Sequence, residues 1–250
     1  MISILAFLFV FSVVVLIHEF GHFITAKMLG IKVYEFSIGF PFSPKIATLY
    51  KHKETEFTLR LLPLGGFVSF SNDSNAGESL EFLKELKWKR AIIISAGSIF
   101  NIISAFLILI VVYMFIRHVN LFDAMIASLQ TLETAVVGTV KLIAGIFSGN
   151  SSMANLSGPI GIAVMAGKAV NAGFANLLYF TGVLSLSIGI LNLLPLPALD
   201  GGHLVMLAIE SLKRKPLSQQ TYQVISVAGM AFFIILTLII SYKDIVNLFT

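Results

Sequence analysis

The stretch VVVLIHEFGHFI, Val13–Ile24, decides how the chain is read. Residues 1–17 carry no charge, so this is the end of an apolar run, yet His18, Glu19 and His22 fall within little more than one helical turn. An ionisable side chain at membrane depth costs at least a few kcal/mol on insertion scales, so three together point to a function. Residues four apart on a helix share a face, one turn apart, which lets both imidazoles reach a single ion. Zinc held by histidine at about 2.0–2.1 Å lowers the pKa of water to roughly 7, and Glu19 beside the ligands is placed to accept the proton. This is the H-E-x-x-H arrangement of a metalloprotease.

The surrounding chain fits a membrane setting. Hydrophobic residues make up 57% and charged residues 12%, against about half and a quarter in a soluble domain. Three further uncharged runs, Ala91–Ile116, Ala169–Leu199 and Pro216–Tyr242, each reach the roughly 18–20 residues that cross about 30 Å of hydrocarbon. The expected fold is an all-α polytopic membrane protein, one domain over 1–250, with about four transmembrane helices near 2–24, 91–116, 175–199 and 222–242. The first run lacks a basic start and a small-residue cleavage site, so a retained helix is expected rather than a signal peptide.

Charge distribution sets the expected orientation. Ten of the 17 Lys and Arg lie between the first and second helices and three between the third and fourth, leaving four on the other side. The positive-inside rule then puts the first and third connections in the cytoplasm and both termini outside. These basic residues flank spans and alternate with acids, which argues against a nucleic-acid partner. With no cysteine in the chain, disulfides and thiolate metal sites are excluded and any metal must be held by histidine and carboxylate.

In the first connection, EFTLRLLPLGGFVSF (Glu56–Phe70) reads as a β-hairpin or looped strand pair, apolar enough to dip into the membrane face. Residues 77–90 read as an amphipathic interfacial helix. The outer connection, about 117–174, holds an amphipathic to apolar stretch broken by Gln130, Glu133 and Lys141, then a turn-rich SGNSSMANLSGPIG loop. A re-entrant or interfacial helix at 135–147 is an open alternative.

A catalytic zinc takes three protein ligands and keeps one position open. The one acid interrupting the other apolar stretches is Asp200, in NLLPLPALDGGH (Asn192–His203). The first and third helices run the same way through the bilayer, which puts Asp200 level with His18 and His22. His203 is an alternative ligand, read here as a headgroup-level or supporting residue; His52 and His118 read as solvated. Pro195 and Pro197 cannot sustain a helix, and Gly201 and Gly202 loosen the segment after them. Such a break opens a place where unwound substrate could lie along Leu59–Phe70 by main-chain hydrogen bonding. The Asn192 amide is a candidate to hold the substrate carbonyl or its oxyanion, or else an interhelical bond. For Asn101 the interhelical bond is the preferred reading.

HEFGH on the first helix and NLLPLPALDGGH on the third resemble the site-2 proteases, the zinc intramembrane metalloproteases, and more narrowly the bacterial proteases that regulate sigma-E. YEFSIGF, LLPLGGFVSF, KWKRAIIISAGSIFN and ANLSGPIGIA resemble segments of that group in the same order. The resemblance implies His18, His22 and Asp200 as zinc ligands and Glu19 as general base. It implies substrate contacts at Asn192 and Pro197, and a membrane-dipping β-loop at Gly65, Gly66 and Phe67. Expected substrates are single-span proteins of a bacterial inner membrane, of the anti-sigma-factor or remnant-signal-peptide class. One departure stands out: that group carries PDZ modules in the outer connection, and here only some 17 residues separate Arg117 from the Ala135–Phe147 segment. A size filter is then absent or supplied by a separate adaptor. The competing reading is a non-catalytic metal-binding membrane scaffold or metal carrier, which would not need Glu19.

Overall fold

The computed structural model describes residues 2–39, 43–62, 65–71, 80–148 and 157–249. In order these form α1 (Ile2–Met28), β1 (Glu35–Ile38), β2 (Lys45–His52), β3 (Thr55–Arg60), β4 (Gly66–Ser69), α2 (Leu80–Lys84), α3 (Lys87–Arg117), α4 (Leu121–Phe147), α5 (Pro159–Asn171), α6 (Phe174–Asn192), α7 (Asp200–Lys213) and α8 (Gln219–Phe249). Among them α1, α3, α6 and residues Gln220–Val246 of α8 are long and apolar enough to cross a membrane. The chain is a polytopic, mostly helical membrane protein with a small sheet after its first helix, as the apolar runs predict. On α8, Val224, Val227, Phe232, Ile235, Leu238 and Ile239 all face outward, a surface that suits lipid and would be an aggregation patch in water. Hydroxyls inside the spans bond back to their own helix, as Ser95 does to the Ala91 carbonyl, Thr181 to Leu177 and Ser187 to Val183. Polar groups are thereby satisfied without breaking the ladder.

Two compact units emerge, with the long helices contributing residues to both. The first comprises residues 11–101 and 191–230. Its sheet has the order β2-β3-β1-β4. The tight hairpin is β2–β3, turning at Lys53 with φ +51°. The strand pair expected within 56–70 takes a different form: β3 and β4 are not partners, because β1 lies between them, parallel to β3 and antiparallel to β4. Arg60 donates to both oxygens of Glu35 at 3.0 and 3.1 Å and Thr58 adds a third bond, fixing the register of β1 on β3. Gly65 enters β4 at φ +114° and its carbonyl accepts from the Gly39 N–H at 2.9 Å. Ala26, Ile31, Val33, Phe82 and Ile93 form the core of this unit, with Phe70 stacked on Phe82 at 4.5 Å.

The amphipathic segment is two pieces rather than one. Residues 77–79 lie outside the described residues, α2 ends at Lys84, and Lys87–Arg90 already belong to α3. Arg90 explains the break, since its guanidinium turns inward and donates to the Leu83 carbonyl across the gap.

α6 stops at Asn192, and Pro195 and Pro197 sit in the turn after it. Asp200 therefore does not end a transmembrane helix; it begins α7, after Leu199 in extended conformation. A carboxylate suits that position, at the positive end of the helix dipole. Gly201 and Gly202 do not loosen α7 but let it start so close to the turn: a Cβ at either would sit 2.2 Å from the Leu194 or Leu196 carbonyl oxygen.

The second unit comprises residues 1–10, 102–190 and 231–250. Here α4 runs unbroken through Gln130, Glu133 and Lys141, capped at its start by the Asn120 side chain, which accepts from the Asp123 N–H at 2.9 Å. It is not among the four helices apolar enough to span. Residues 149–156 of the expected turn-rich loop lie outside the described residues. Pro159 opens α5, whose first N–H groups at Gly158 and Gly161 both donate to the α8 carboxylate of Asp244, at 2.9 and 2.8 Å.

Candidate metal centre

Helix α1 sets His18 and His22 one turn apart, their rings perpendicular and 4.8 Å between centroids. Their Nε2 atoms face each other at 3.2 Å. Asp200 closes the triangle, its Oδ2 lying 3.2 Å from His18 Nε2 and its Oδ1 3.6 Å from His22 Nε2. Among the described residues this is the one cluster of three or more such side chains able to hold a metal ion. A tetrahedral zinc with bonds of about 2.0–2.1 Å has ligand–ligand edges of about 3.3–3.4 Å; the His18–His22 and His18–Asp200 separations lie near that value, and with one ligand atom from each residue the three all fall within 4.8 Å of one another. The donor chemistry fits as well. His22 Nδ1 donates to the Ile93 carbonyl at 2.8 Å, which leaves its Nε2 with a lone pair for a cation. Burial pushes the Asp200 carboxyl up, but His18, His22 and Ser98 outweigh it and hold it below the usual carboxylate value. Two imidazoles and one carboxylate are the ligand set of a hydrolytic zinc site.

Glu19 lies on α1 between the histidines and against β4. A Cβ on Gly66 would come within 3.0 Å of both the Glu19 Cγ and the Ser37 carbonyl, so only glycine lets the strand pass this close. β4 is an edge strand, and on it the Phe67 ring lies under the Arg60 guanidinium at 4.7 Å. Of Gly65, Gly66 and Phe67, it is Gly66 that is brought against Glu19. Asn192 closes α6, half-buried, and its amide makes no hydrogen bond among the described residues. Pro197 packs on α8, where a Cβ at Gly229 would meet it at 2.5 Å. Neither belongs to the converging donors. His203 does not join them either; its ring stacks on Tyr222.

Three residues of α3 at this centre escape a reading of the motif alone. Ser98 donates to Asp200 Oδ2 at 3.1 Å. The Asn101 amide reaches His18 Nδ1 at 3.5 Å. Gly97 presents bare backbone to both imidazoles: its Cβ would lie 2.4 Å from His22 Nε2 and 2.8 Å from His18 Cε1. The signal for them in the sequence is AGSIFN, small and polar residues inside a run otherwise rich in Ile, Leu and Val.

The family profile described as Peptidase family M50 matches residues 6–236. A Clostridium acetobutylicum protein whose name marks it as an inferred zinc metalloprotease is 26% identical, over 94% of this chain and 95% of its own length. That alignment runs over 325 residues, more than this 250-residue chain holds, so the relative carries segments absent here. The Haemophilus influenzae regulator of sigma E protease is 41% identical over 44% of this chain and 25% of the relative. The zinc metalloprotease RasP of Shouchella clausii is 36% identical over 48% of this chain and 28% of the relative.

Proposed function

Because the chain belongs to peptidase family M50, the site-2 protease family, we propose that it is a zinc-dependent endopeptidase cleaving single-span membrane proteins within or near their transmembrane segment. The observation that carries this reading is the convergence of His18, His22 and Asp200, with separations of 3.2, 3.2 and 3.6 Å, beside Glu19 on a membrane-spanning helix. His18 and His22 would hold the ion from α1 and Asp200 from the start of α7. Bound there, zinc supplies a Lewis acid for the scissile carbonyl and makes water acidic near neutral pH.

The chain's own groups do the rest. An unwound substrate segment adds to the edge of β4, where main-chain hydrogen bonds hold it extended and the side chains alternate between faces. The Asn192 amide is the donor proposed for the scissile carbonyl oxygen, stronger as that oxygen gains charge. Glu19 takes a proton from the attacking water as its oxygen bonds to the carbonyl carbon. The same carboxyl then gives the proton to the departing amide nitrogen as the C–N bond breaks. Relatives and topology support a bacterial inner membrane, and the charge count supports both termini outside with the sheet on the cytoplasmic side.

The test compares wild type with Glu19→Gln, each purified in detergent. Both should carry one zinc per chain, while cleavage of a model single-span substrate falls by about 10²–10⁴ in the variant, the usual worth of a general base. Wild-type cleavage by Glu19→Gln would end the proposed mechanism. Zinc without cleavage in the wild type would leave the metal-binding scaffold as the better reading.

A further inference from the structure

Helix α3 supplies no ligand, yet every ligand rests on it. Ile93, Gly97 and Asn101 are spaced by four and form one ridge, with Ser98 on its flank. Ile93 contributes its carbonyl to His22 Nδ1, Gly97 the bare backbone on which both rings lie, and Ser98 a hydroxyl to Asp200 Oδ2. Asn101, fully buried, stands at the remaining nitrogen of His18. Taking His18, His22 and Asp200 as metal ligands, we infer that α3 sets the affinity of the site, with Asn101 as the positioning residue that selects the tautomer of His18.

The position of one proton decides whether His18 can ligate. His18 Nε2 lies 3.2 Å from both His22 Nε2 and Asp200 Oδ2, so it is the nitrogen facing the ion. To ligate, Nε2 must offer a lone pair, which puts the ring proton on Nδ1, where it needs an acceptor. Asn101 can supply one, because turning its amide by 180° places Oδ1 where Nδ2 would otherwise face the ring. With the NH₂ group toward Nδ1, the proton moves to Nε2 and the ligand is lost. His22 has no such choice, since a backbone carbonyl can only accept. One of the two imidazoles is thus held by backbone and the other by a single side chain. Holding the helices together is a separate task, met here by Gly21 packed on the Ala96 carbonyl and by the Phe20–Phe100 ring pair.

The experiment measures zinc dissociation constants by chelator competition on the purified full chain, with visible spectra of the cobalt-substituted forms. Asn101→Leu keeps the volume and removes the acceptor; it should weaken zinc binding by about 10–100-fold, the usual effect of losing a partner behind a histidine ligand, and alter the cobalt bands. Asn101→Asp keeps an acceptor and removes the NH₂, so it should bind within a few-fold of wild type or tighter, with wild-type cobalt bands. Ser98→Ala should weaken binding by about 10-fold, the low end of the same range. Affinity of Asn101→Leu within twofold of wild type would overturn the inference, as would equal losses in the Asp and Leu variants. Should the Leu variant fail to fold, wild-type affinity in Ser98→Ala together with a large loss in Asn101→Asp would overturn it equally. A wild-type chain that binds no zinc would instead refute the reading of the site, which the wild-type control detects by itself.

Discussion

Removing the Glu210 carboxylate is expected to cost a large part of the stability of the basic end of the spans. Arg90 and Glu210 are 2% and 1% exposed and meet at 2.8 Å. The guanidinium also donates to the Tyr222 hydroxyl at 2.8 Å and to the Leu83 carbonyl, while Glu210 Oε1 accepts from the Leu217 N–H at 2.9 Å. This network ties α3, α7 and the first turn of α8 together. Glu210→Leu leaves a guanidinium buried without its counter-charge, which costs about 3–5 kcal/mol. It also strands the Leu217 amide, worth about 1 kcal/mol or more. The sum, about 4–6 kcal/mol, rivals the whole stability of many domains and corresponds to a drop of roughly 10–20 °C in melting temperature at this chain length.

The assay is thermal unfolding in detergent by near-ultraviolet circular dichroism, run beside Arg90→Met/Glu210→Leu. Removing both partners leaves no charge to satisfy, so the double variant should recover most of the loss. A single variant melting within about 2 °C of wild type, a shift worth less than roughly 1 kcal/mol, would refute the unpaired-charge cost. So would a double variant as unstable as the single one, because the cost would then lie in lost packing.

Two further changes separate metal site from scaffold. Gly97→Ala puts a methyl 2.4 Å from His22 Nε2 and should lower zinc affinity by about 100-fold or more, read as zinc per chain after dialysis against a chelator. Asp244→Ala strands the Gly158 and Gly161 N–H groups at the start of α5; a loss of about 2–3 kcal/mol should appear as faster hydrogen exchange in residues 158–162 with unchanged zinc content.

The features legible in the sequence are those that depend on neighbours along the chain. The spans follow from the absence of charge, and His18, Glu19 and His22 from the geometry of one helix, since residues four apart meet whatever else the fold does. Asp200 is reachable by elimination, although its setting is not. The prolines show that a helix breaks near it, but only the turn's carbonyls packed against Gly201 and Gly202 make it the first residue of a new helix. β1 escapes because four residues, Glu35–Ile38, show too little alternation to announce a strand. They are held by partners some 20 and 30 positions later, out of sequence order in the sheet. Arg90 reads as one more cytoplasmic cation, yet its partner lies 120 residues away and removes it from solvent altogether. Asn101 is the same case in a functional setting. Inside an apolar helix a carboxamide announces that it needs a partner, and interhelical bonding is the commonest way to meet that need. Nothing local reveals that the partner across the helix interface is the spare nitrogen of a metal-ligand candidate. Two polar residues in one apolar run, spaced to face the same neighbour, are therefore better read as a pair with a common target than as two separate packing bonds: Ser98 and Asn101 lie three apart, and their targets, Asp200 and His18, are themselves 3.2 Å apart.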